Sequence, residues 1–395
     1  MGVIHFIANG IFSPGIAGGD MVYFNLAQTA ARAGYEVNHL GGHALQQVAA
    51  AHKLPGTVTL TDDVIAQFPP GLTGQFALFR DFYGRFRRTL ALNQIFQPGD
   101  FVCATSDYWF DVIPAASCAA QKKLMVLNME APTFPQIIAR SRPDVDALRL
   151  ASLHYWLSQE WSLHRFAGCR RRHVIYLHPL MERRLDNLGI PPSDRTLISY
   201  GLGPSAADDV PAQTRIYDAV WIGRVHRQKG VDDLLATLKW LSGRLENFRA
   251  LFIGNVRDKL LPLVRGLGLE KNVEFSGFVS EEEKIRLFKS SRVFLMPSKH
   301  EGSPRVIGES IVARTPVVAY KIPNYPPLFS DLVRYAPPFD LAAFQRVAEQ
   351  EIQRMRAGEN YLEHANLDAF KLENSWKTAG SRFLAALDQL NGERK

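Results

Sequence analysis

From one end of the chain to the other, short apolar runs alternate with longer stretches whose apolar positions recur every three or four residues. The first pattern marks buried strands and the second amphipathic helices; their regular alternation predicts parallel sheets built from strand-helix-strand units, an α/β class. In the first half, strands are expected at Gly2–Ala8, Glu36–Gly41, Asp100–Thr105, Lys123–Met129, His173–Leu177 and Thr196–Tyr200. Helices fall between them at Asp20–Ala33, Leu78–Ile95, Tyr108–Ala120 and Asp144–Phe166. The run GPSAADDVPAQTR at 203–215 breaks the pattern with Gly, Pro, Ser and Asp, and marks a linker between a domain at 1–205 and another at 206–370. Beyond it, strands are expected at Ala219–Gly223, Arg249–Gly254, Val273–Phe275, Arg292–Met296 and Pro316–Ala319. The accompanying helices are Val231–Leu245, Leu260–Leu267, Glu281–Ser290, Pro304–Ala313 and Asp340–Arg356. Two such Rossmann-like, doubly wound domains bind ligands outside the carboxyl ends of their strands, so the site is expected in a cleft between the halves.

Composition narrows this reading. A chain of 395 residues, 46% hydrophobic and 22% charged, supplies two ordinary cores, and no apolar run approaches the roughly 18 residues of a spanning helix. The start, MGVIHFIANG, lacks a basic segment ahead of its apolar stretch and reads as a first core strand, so the expected place is the cytoplasm, including the inner face of a membrane. Cys103, Cys118 and Cys169 have no paired spacing and read as buried small hydrophobes. The net charge of +7 favours anionic partners, whether a nucleotide diphosphate, an anionic lipid surface or a nucleic acid. The arginines form no recognisable nucleic-acid module, and no nucleic-acid partner is expected.

Two segments of the second half carry chemistry. In AVWIGRVHRQKGVDDLL, residues 219–235, a strand ends at Gly223 and is followed by Arg224 and Lys229-Gly230 before a helix; two cations at such a turn suit a leaving diphosphate. In SKHEGSPRVIGES, residues 298–310, Glu301 lies on a loop and Glu309 on the next helix, with Ser303 as N-cap and Pro304 as first helical residue. The free N–H groups of that helix start suit a diphosphate, and carboxylates bind the vicinal diols of ribose and hexose. A solvated basic loop and two surface acids are the plain alternative.

Together these segments resemble the retaining glycosyltransferases of family 4, the glycosyl transferases group 1, which have the two-domain GT-B fold. FIGN at 252–255, NVEFSGFVSEEEKIRLFKSS at 272–291 and VFLMPSKHEGSPRVIGES at 293–310 look like successive blocks of that family. The resemblance is close over 216–325 and loose in the first half. It implies a nucleotide diphosphate sugar as donor, UDP- or GDP-linked. Arg224 and Lys229 would bind its diphosphate, Glu309 the ribose and Glu301 the transferred sugar, with Gly223, Gly302, Ser303, Pro304, Arg305 and Val306 lining the donor. Transfer with retention to a hydroxyl of a sugar, lipid-linked or small-molecule acceptor is implied, as is a terminal segment, 371–395, that crosses back to the first domain. Arg314 and Gly308 depart from the family, which usually has Gly and a branched apolar residue there. A non-catalytic nucleotide-sugar binder, or a phosphorylase or epimerase on the same fold, is the alternative.

The first half is less explicit. Gly18-Gly19 precedes a helix and resembles the family's glycine loop beside donor phosphate and acceptor. After the strand at 123–129 the chain reads NMEAP; Met129 stands where relatives carry histidine, and Glu130 either orients the acceptor hydroxyl or caps a loop, with Asp107 a similar candidate. LFRDFYGRFRRTLAL at 78–92 and HYWLSQEWSLHRFAGCRRRH at 154–173 mix aromatics with arginines. Such faces suit a membrane interface or an anionic lipid-linked acceptor, although rings packed inward under solvated arginines are the more ordinary arrangement. Asp144-Val145-Asp146 reads as acids at a helix start, and no metal or other cofactor is expected.

Overall fold

A computed structural model describes residues 2–13, 18–63, 72–143, 145, 149–199, 201–202 and 209–392. By contacts the chain divides into two units: residues 1–139, 145–201 and 376–395 form one, and 140–144 with 202–375 the other.

The first unit is built on a seven-stranded parallel sheet of β1 (Val3–Ile7), β2 (Glu36–Gly41), β3 (Thr57–Leu60), β4 (Phe101–Ala104), β5 (Lys122–Leu127), β6 (Arg172–Tyr176) and β7 (Arg195–Leu197). The order is β3-β2-β1-β4-β5-β6-β7, so the winding reverses between β1 and β4. The second unit has β8 (Tyr217–Ile222), β9 (Ala250–Ile253), β10 (Val273–Gly277), β11 (Ser291–Met296), β12 (Val317–Tyr320) and β13 (Arg334–Ala336). Its order, β10-β9-β8-β11-β12-β13, reverses between β8 and β11. Every strand pairing in both sheets is parallel. Central strands such as β4, β9 and β12 are buried along their whole length, as strands covered by helices on both faces must be, which is why they read as unbroken apolar runs.

The expected class is thus observed as two Rossmann-like sheets, with some differences of detail. Edge strands β3 and β13 and the helix His43–Ala51 were not expected. β3 is TVTL, half-buried at the edge of its sheet, without an apolar run to announce it. The second expected helix is Leu72–Ala91, six residues earlier than its aromatic pattern suggests, followed by a separate 3-10 turn at Asn93–Ile95. The long helix expected from residue 144 is described from Leu150 to Ala167; Asp144 and Asp146 lie outside the described residues, as does most of the first part of the 203–215 break. Cys103 and Cys169 are buried and Cys118 partly so, and all three are free thiols.

The helix Trp376–Asn391 belongs to the first unit and packs on the helix Gly18–Arg32. A Cβ at Gly380 would stand 2.9 Å from Thr29 Oγ1, and Phe383, Leu387 and Leu390 enter the same apolar core as Ile4, Phe6 and Leu26. No helix among the described residues is long and apolar enough to cross a membrane.

Candidate functional site

The two charged segments of the second unit follow β8 and β11, the adjacent strands at which its winding reverses. Ligands of open α/β sheets gather at that place because neighbouring connections run to opposite faces and leave a crevice. After β8 the chain passes Gly223 and Arg224 into a 3-10 turn, Arg227–Lys229, capped by the His226 side chain, which accepts from the Gln228 N–H at 3.2 Å. Gly230 then adopts φ +62°, and a Cβ there would stand 2.0 Å from the Pro297 carbonyl oxygen, so only glycine lets this turn lie against the end of β11. That close approach is locked by two bonds: Lys299 N–H donates to the Gln228 carbonyl at 2.8 Å, and Gln228 Nε2 to the His300 carbonyl at 2.7 Å.

The result brings Lys229 to Glu301, Nζ to Oε1 at 2.6 Å, with both side chains largely buried. Asn324 Nδ2 donates to the Glu301 carbonyl at 2.6 Å and holds the loop from the β12 side. Lys299 meets Asp233 at 3.2 Å, and Tyr320 Oη donates to the same carboxylate at 2.8 Å, tying β12 and the loop after β11 to the helix Val231–Ser242. Arg224 is exposed and makes no ion pair among the described residues.

Glu309 is also buried, which excludes the reading of a surface acid. It is not held by Lys229 or Arg224. Its Oε1 accepts from Lys284 Nζ at 2.9 Å and lies 2.8 Å from Arg305 Nε, while Glu281 bonds both cations from the solvent side. Glu309 Oε2 has no hydrogen-bond partner among the described residues. A buried carboxylate oxygen without a donor is costly, and a ligand hydroxyl is the kind of group that relieves it. The four residues singled out from sequence therefore form one direct pair, Lys229 with Glu301, and a separately held carboxylate, Glu309, on the helix that follows Glu301.

That helix spans Arg305–Val312 and starts one residue later than expected. Pro304, not Ser303, occupies the capping position, with ψ 100°, and no side chain caps the first turn. Extended backbone at Pro304 delays the helix, while the missing side-chain cap leaves first-turn N–H groups beside Gly302 and Ser303 for another partner. Gly308 faces Leu202, whose methyl carbon a Cβ would meet at 3.2 Å; this explains a glycine where a branched residue is usual. Arg314 closes the helix at φ +55°, a glycine-like conformation, and its guanidinium bonds the Leu362 carbonyl.

Sequence reasoning missed Lys284, which sits in the acidic run EEEK and looks solvated yet is 7% exposed. It also missed Arg142, whose Nη2 lies 3.0 Å from His300 Nε2 across 158 positions of sequence.

In the first unit Gly18 and Gly19 open the helix Gly18–Arg32, and residues 14–17 before them lie outside the described residues. A Cβ at Gly19 would meet Asn128 Oδ1 at 3.0 Å, so the second glycine admits the loop after β5. Met129 directs its carbonyl to Tyr155 Oη and Gln159 Nε2, at 2.9 and 2.7 Å, and Glu130 beside it is exposed. Asp107, the candidate similar to Glu130, is buried and accepts from Tyr155 and Gln159 at 3.0 and 2.5 Å, and burial raises its pKa. Asp111 is likewise enclosed, bound by the Asn9 N–H at 2.8 Å and Ser106 Oγ at 2.6 Å, with burial pushing its pKa up to about 7. Among the described residues no cluster of three His, Cys, Asp or Glu is gathered as a metal site.

Residues 209–359 match the family model of glycosyl transferases group 1. Among curated relatives, an uncharacterized glycosyltransferase of Methanocaldococcus jannaschii is 33% identical over 107 residues, a stretch covering 26% of this chain and 27% of the relative's own length. Among solved structures, sucrose-phosphate synthase from Thermosynechococcus elongatus matches with a TM-score of 0.71 at 18% identity, covering 99% of both chains. The pneumococcal O-GlcNAc transferase GtfA, solved with UDP and GlcNAc, also gives 0.71, at 11% identity, covering 100% of this chain and 99% of that one. The fold of the chain is GT-B.

Proposed function

We propose that the chain is a glycosyltransferase that moves a hexose from a UDP- or GDP-linked sugar to an acceptor hydroxyl with retention of anomeric configuration, in polysaccharide or related glycan biosynthesis. The observation that carries this reading is the Lys229–Glu301 pair at 2.6 Å, placed where the parallel sheet reverses and beside an uncapped helix start, within the stretch matched by the family model. The bond from the anomeric carbon to the diphosphate oxygen breaks and the electron pair leaves with the nucleotide. The acceptor oxygen bonds to the same face, and its proton passes to the departing diphosphate. In this scheme the protein's work is electrostatic. Arg224 and Lys229, with the N–H groups at Gly302 to Val306, neutralise charge on the diphosphate, so no metal is required. Glu301 exchanges part of its bond to Lys229 for a hexose hydroxyl, and Glu309 Oε2 accepts from the ribose.

In the first unit, Gly18, Gly19 and Glu130 are assigned to the acceptor, a sugar, a lipid-linked glycan or a small molecule. A non-catalytic nucleotide-sugar binder is favoured by one observation, Met129, whose polar contacts among the described residues are made by its carbonyl. A thermal-shift panel of UDP-, GDP- and ADP-sugars tests donor binding, since a ligand at about one hundred times its Kd adds roughly 2.7 kcal/mol. One base class is expected to raise Tm by several degrees, and Glu309→Ala to abolish the rise. Absence of any shift by a folded protein sinks the proposal, and the anomeric signal of the product in NMR decides retention.

A further inference from the structure

We propose that the helices Leu72–Ala91 and Leu150–Ala167 of the first unit together form a docking face for an anionic membrane surface. The ordinary arrangement of an aromatic, arginine-rich helix buries its rings and solvates its guanidinium groups, and the first of these helices does both the reverse and the usual at once. Arg85 is 1% exposed; its Nη1 donates to the carbonyls of Asn9 and Ile11 at 3.0 and 2.8 Å, and its Nη2 meets Asp62 and Asp81 at 3.1 and 2.8 Å. Phe82 stacks on Phe110 at 4.2 Å on the same inner side. With that face anchored, Phe76, Phe79 and Tyr83 point outward, 71%, 48% and 48% exposed. They lie at helical neighbour spacing, so they form one stripe.

The stripe continues onto the second helix. The Phe79 ring lies 5.5 Å from His154 and 6.0 Å from Trp109, and Trp109 stacks on Trp161 at 6.2 Å. Leu157 and Trp161 are each 52% exposed, one turn apart. The exposed rings of the two helices are thus joined through the buried Trp109, and exposed aromatics gathered in this way on a chain with ample core elsewhere mark a binding face.

Charge selects the occupant. Arg80 and Arg87 interleave with the rings, Arg165 follows Trp161 by one turn, and all three are exposed and make no ion pair among the described residues. Nearby carboxylates are spent inward or sideways: Asp81 on Arg85, Glu160 on Arg184, and Asp63 on Arg88. The face is therefore aromatic and cationic. A second copy docking symmetrically would set these cations against themselves. Anionic headgroups neutralise them while rings seat at the headgroup level, and the contact is peripheral because no described helix is built to span.

This inference is independent of sugar transfer, and its test uses neither donor nor acceptor. The full chain is sedimented with vesicles of phosphatidylcholine alone and of phosphatidylcholine with phosphatidylglycerol in equal parts. Binding is expected only to the anionic vesicles at about 0.1 M salt, with release at about 0.5 M. Arg80→Glu/Arg87→Glu should lower the partition coefficient at least about 25-fold, at roughly fivefold per charge. Phe76→Ser/Tyr83→Ser/Trp161→Ser should lower it about tenfold or more, with Tm little changed because the three side chains are 71%, 48% and 52% exposed. A wild-type protein that stays in the supernatant at every composition overturns the proposal, as do variants that bind the anionic vesicles as tightly as wild type. A dimer in light scattering that the serine variant dissociates, without vesicle binding, assigns the face to a second copy instead.

Discussion

Replacing Lys284 with methionine keeps the stem of a 7% exposed side chain and deletes its ammonium. The loss falls on Glu309, whose Oε1 receives Lys284 Nζ at 2.9 Å. Were Glu309 left a bare buried charge, the cost would be about 3–5 kcal/mol. Arg305 remains 2.8 Å away, so the loss is closer to one charge-assisted hydrogen bond, about 1.5–3 kcal/mol. The second contact, to exposed Glu281, adds no more than about 1 kcal/mol. The sum, roughly 2–3 kcal/mol, lowers the Tm of a unit this size by about 5–10 °C. Glu309→Gln in the same background should recover part of it, with a coupling energy of about 1–2 kcal/mol in the double-mutant cycle. Urea unfolding of the four proteins measures these quantities. The thermal shift given by the preferred nucleotide sugar should shrink in both single variants and stay small in the double, because stability and aim of the carboxylate are then separated. A Lys284→Met protein within about 0.5 kcal/mol of wild type, or strictly additive variants, would show that the lysine does not hold Glu309.

Three further outcomes follow from contacts described above. Lys229→Gln retains a donor for Glu301 but no charge for it or for the diphosphate, and should lower kcat about 10²–10³-fold in a donor-hydrolysis or transfer assay, with a stability loss of about 1–3 kcal/mol from the buried carboxylate; near-normal turnover would contradict the assigned role. Arg314→Ala keeps the strained φ of +55° and loses the bond to the Leu362 carbonyl, whereas Arg314→Gly loses the bond and the strain, so calorimetry should find the alanine variant less stable than the glycine variant by about 1 kcal/mol. Asp111 has its folded pKa raised from 3.8 to about 7 by burial, so the folded state holds its proton more tightly than the unfolded one. Its contribution is fully present below the unfolded value and is lost as pH rises toward 7, at up to about 1.4 kcal/mol per pH unit. Asp111→Asn should therefore gain stability relative to wild type between pH 5 and 7.5 in urea titrations; parallel pH profiles would remove the basis for this claim.

The parts of the molecule legible in sequence are those whose cause is local. The central strands announce themselves as apolar runs because they are covered on both faces. The Lys229-Gly230 turn is visible because a cation pair and a glycine with φ +62° sit within a few residues. Arg85 is the opposite case. Its carbonyl partners Asn9 and Ile11 lie 76 and 74 positions away, and in FRDFYGRFRRT nothing distinguishes it from the exposed Arg80 and Arg87. Lys284 is hidden for the same reason, since its decisive partner is 25 residues downstream. For Asp107 the sequence shows a place after a strand, but not the Tyr155 and Gln159 that enclose it.

The helix Trp376–Asn391 fills the core of the first unit with residues made after the whole second unit. During translation, then, the earlier-synthesised half emerges from the ribosome with one apolar face uncovered around Val22 and Leu26, and it stays so until residue 391 has cleared the exit tunnel. The usual sequence of events in which the leading domain is finished first is reversed: residues 202–375 have all their own strands available while the leading half still waits, and that interval is when a chaperone has most to hold.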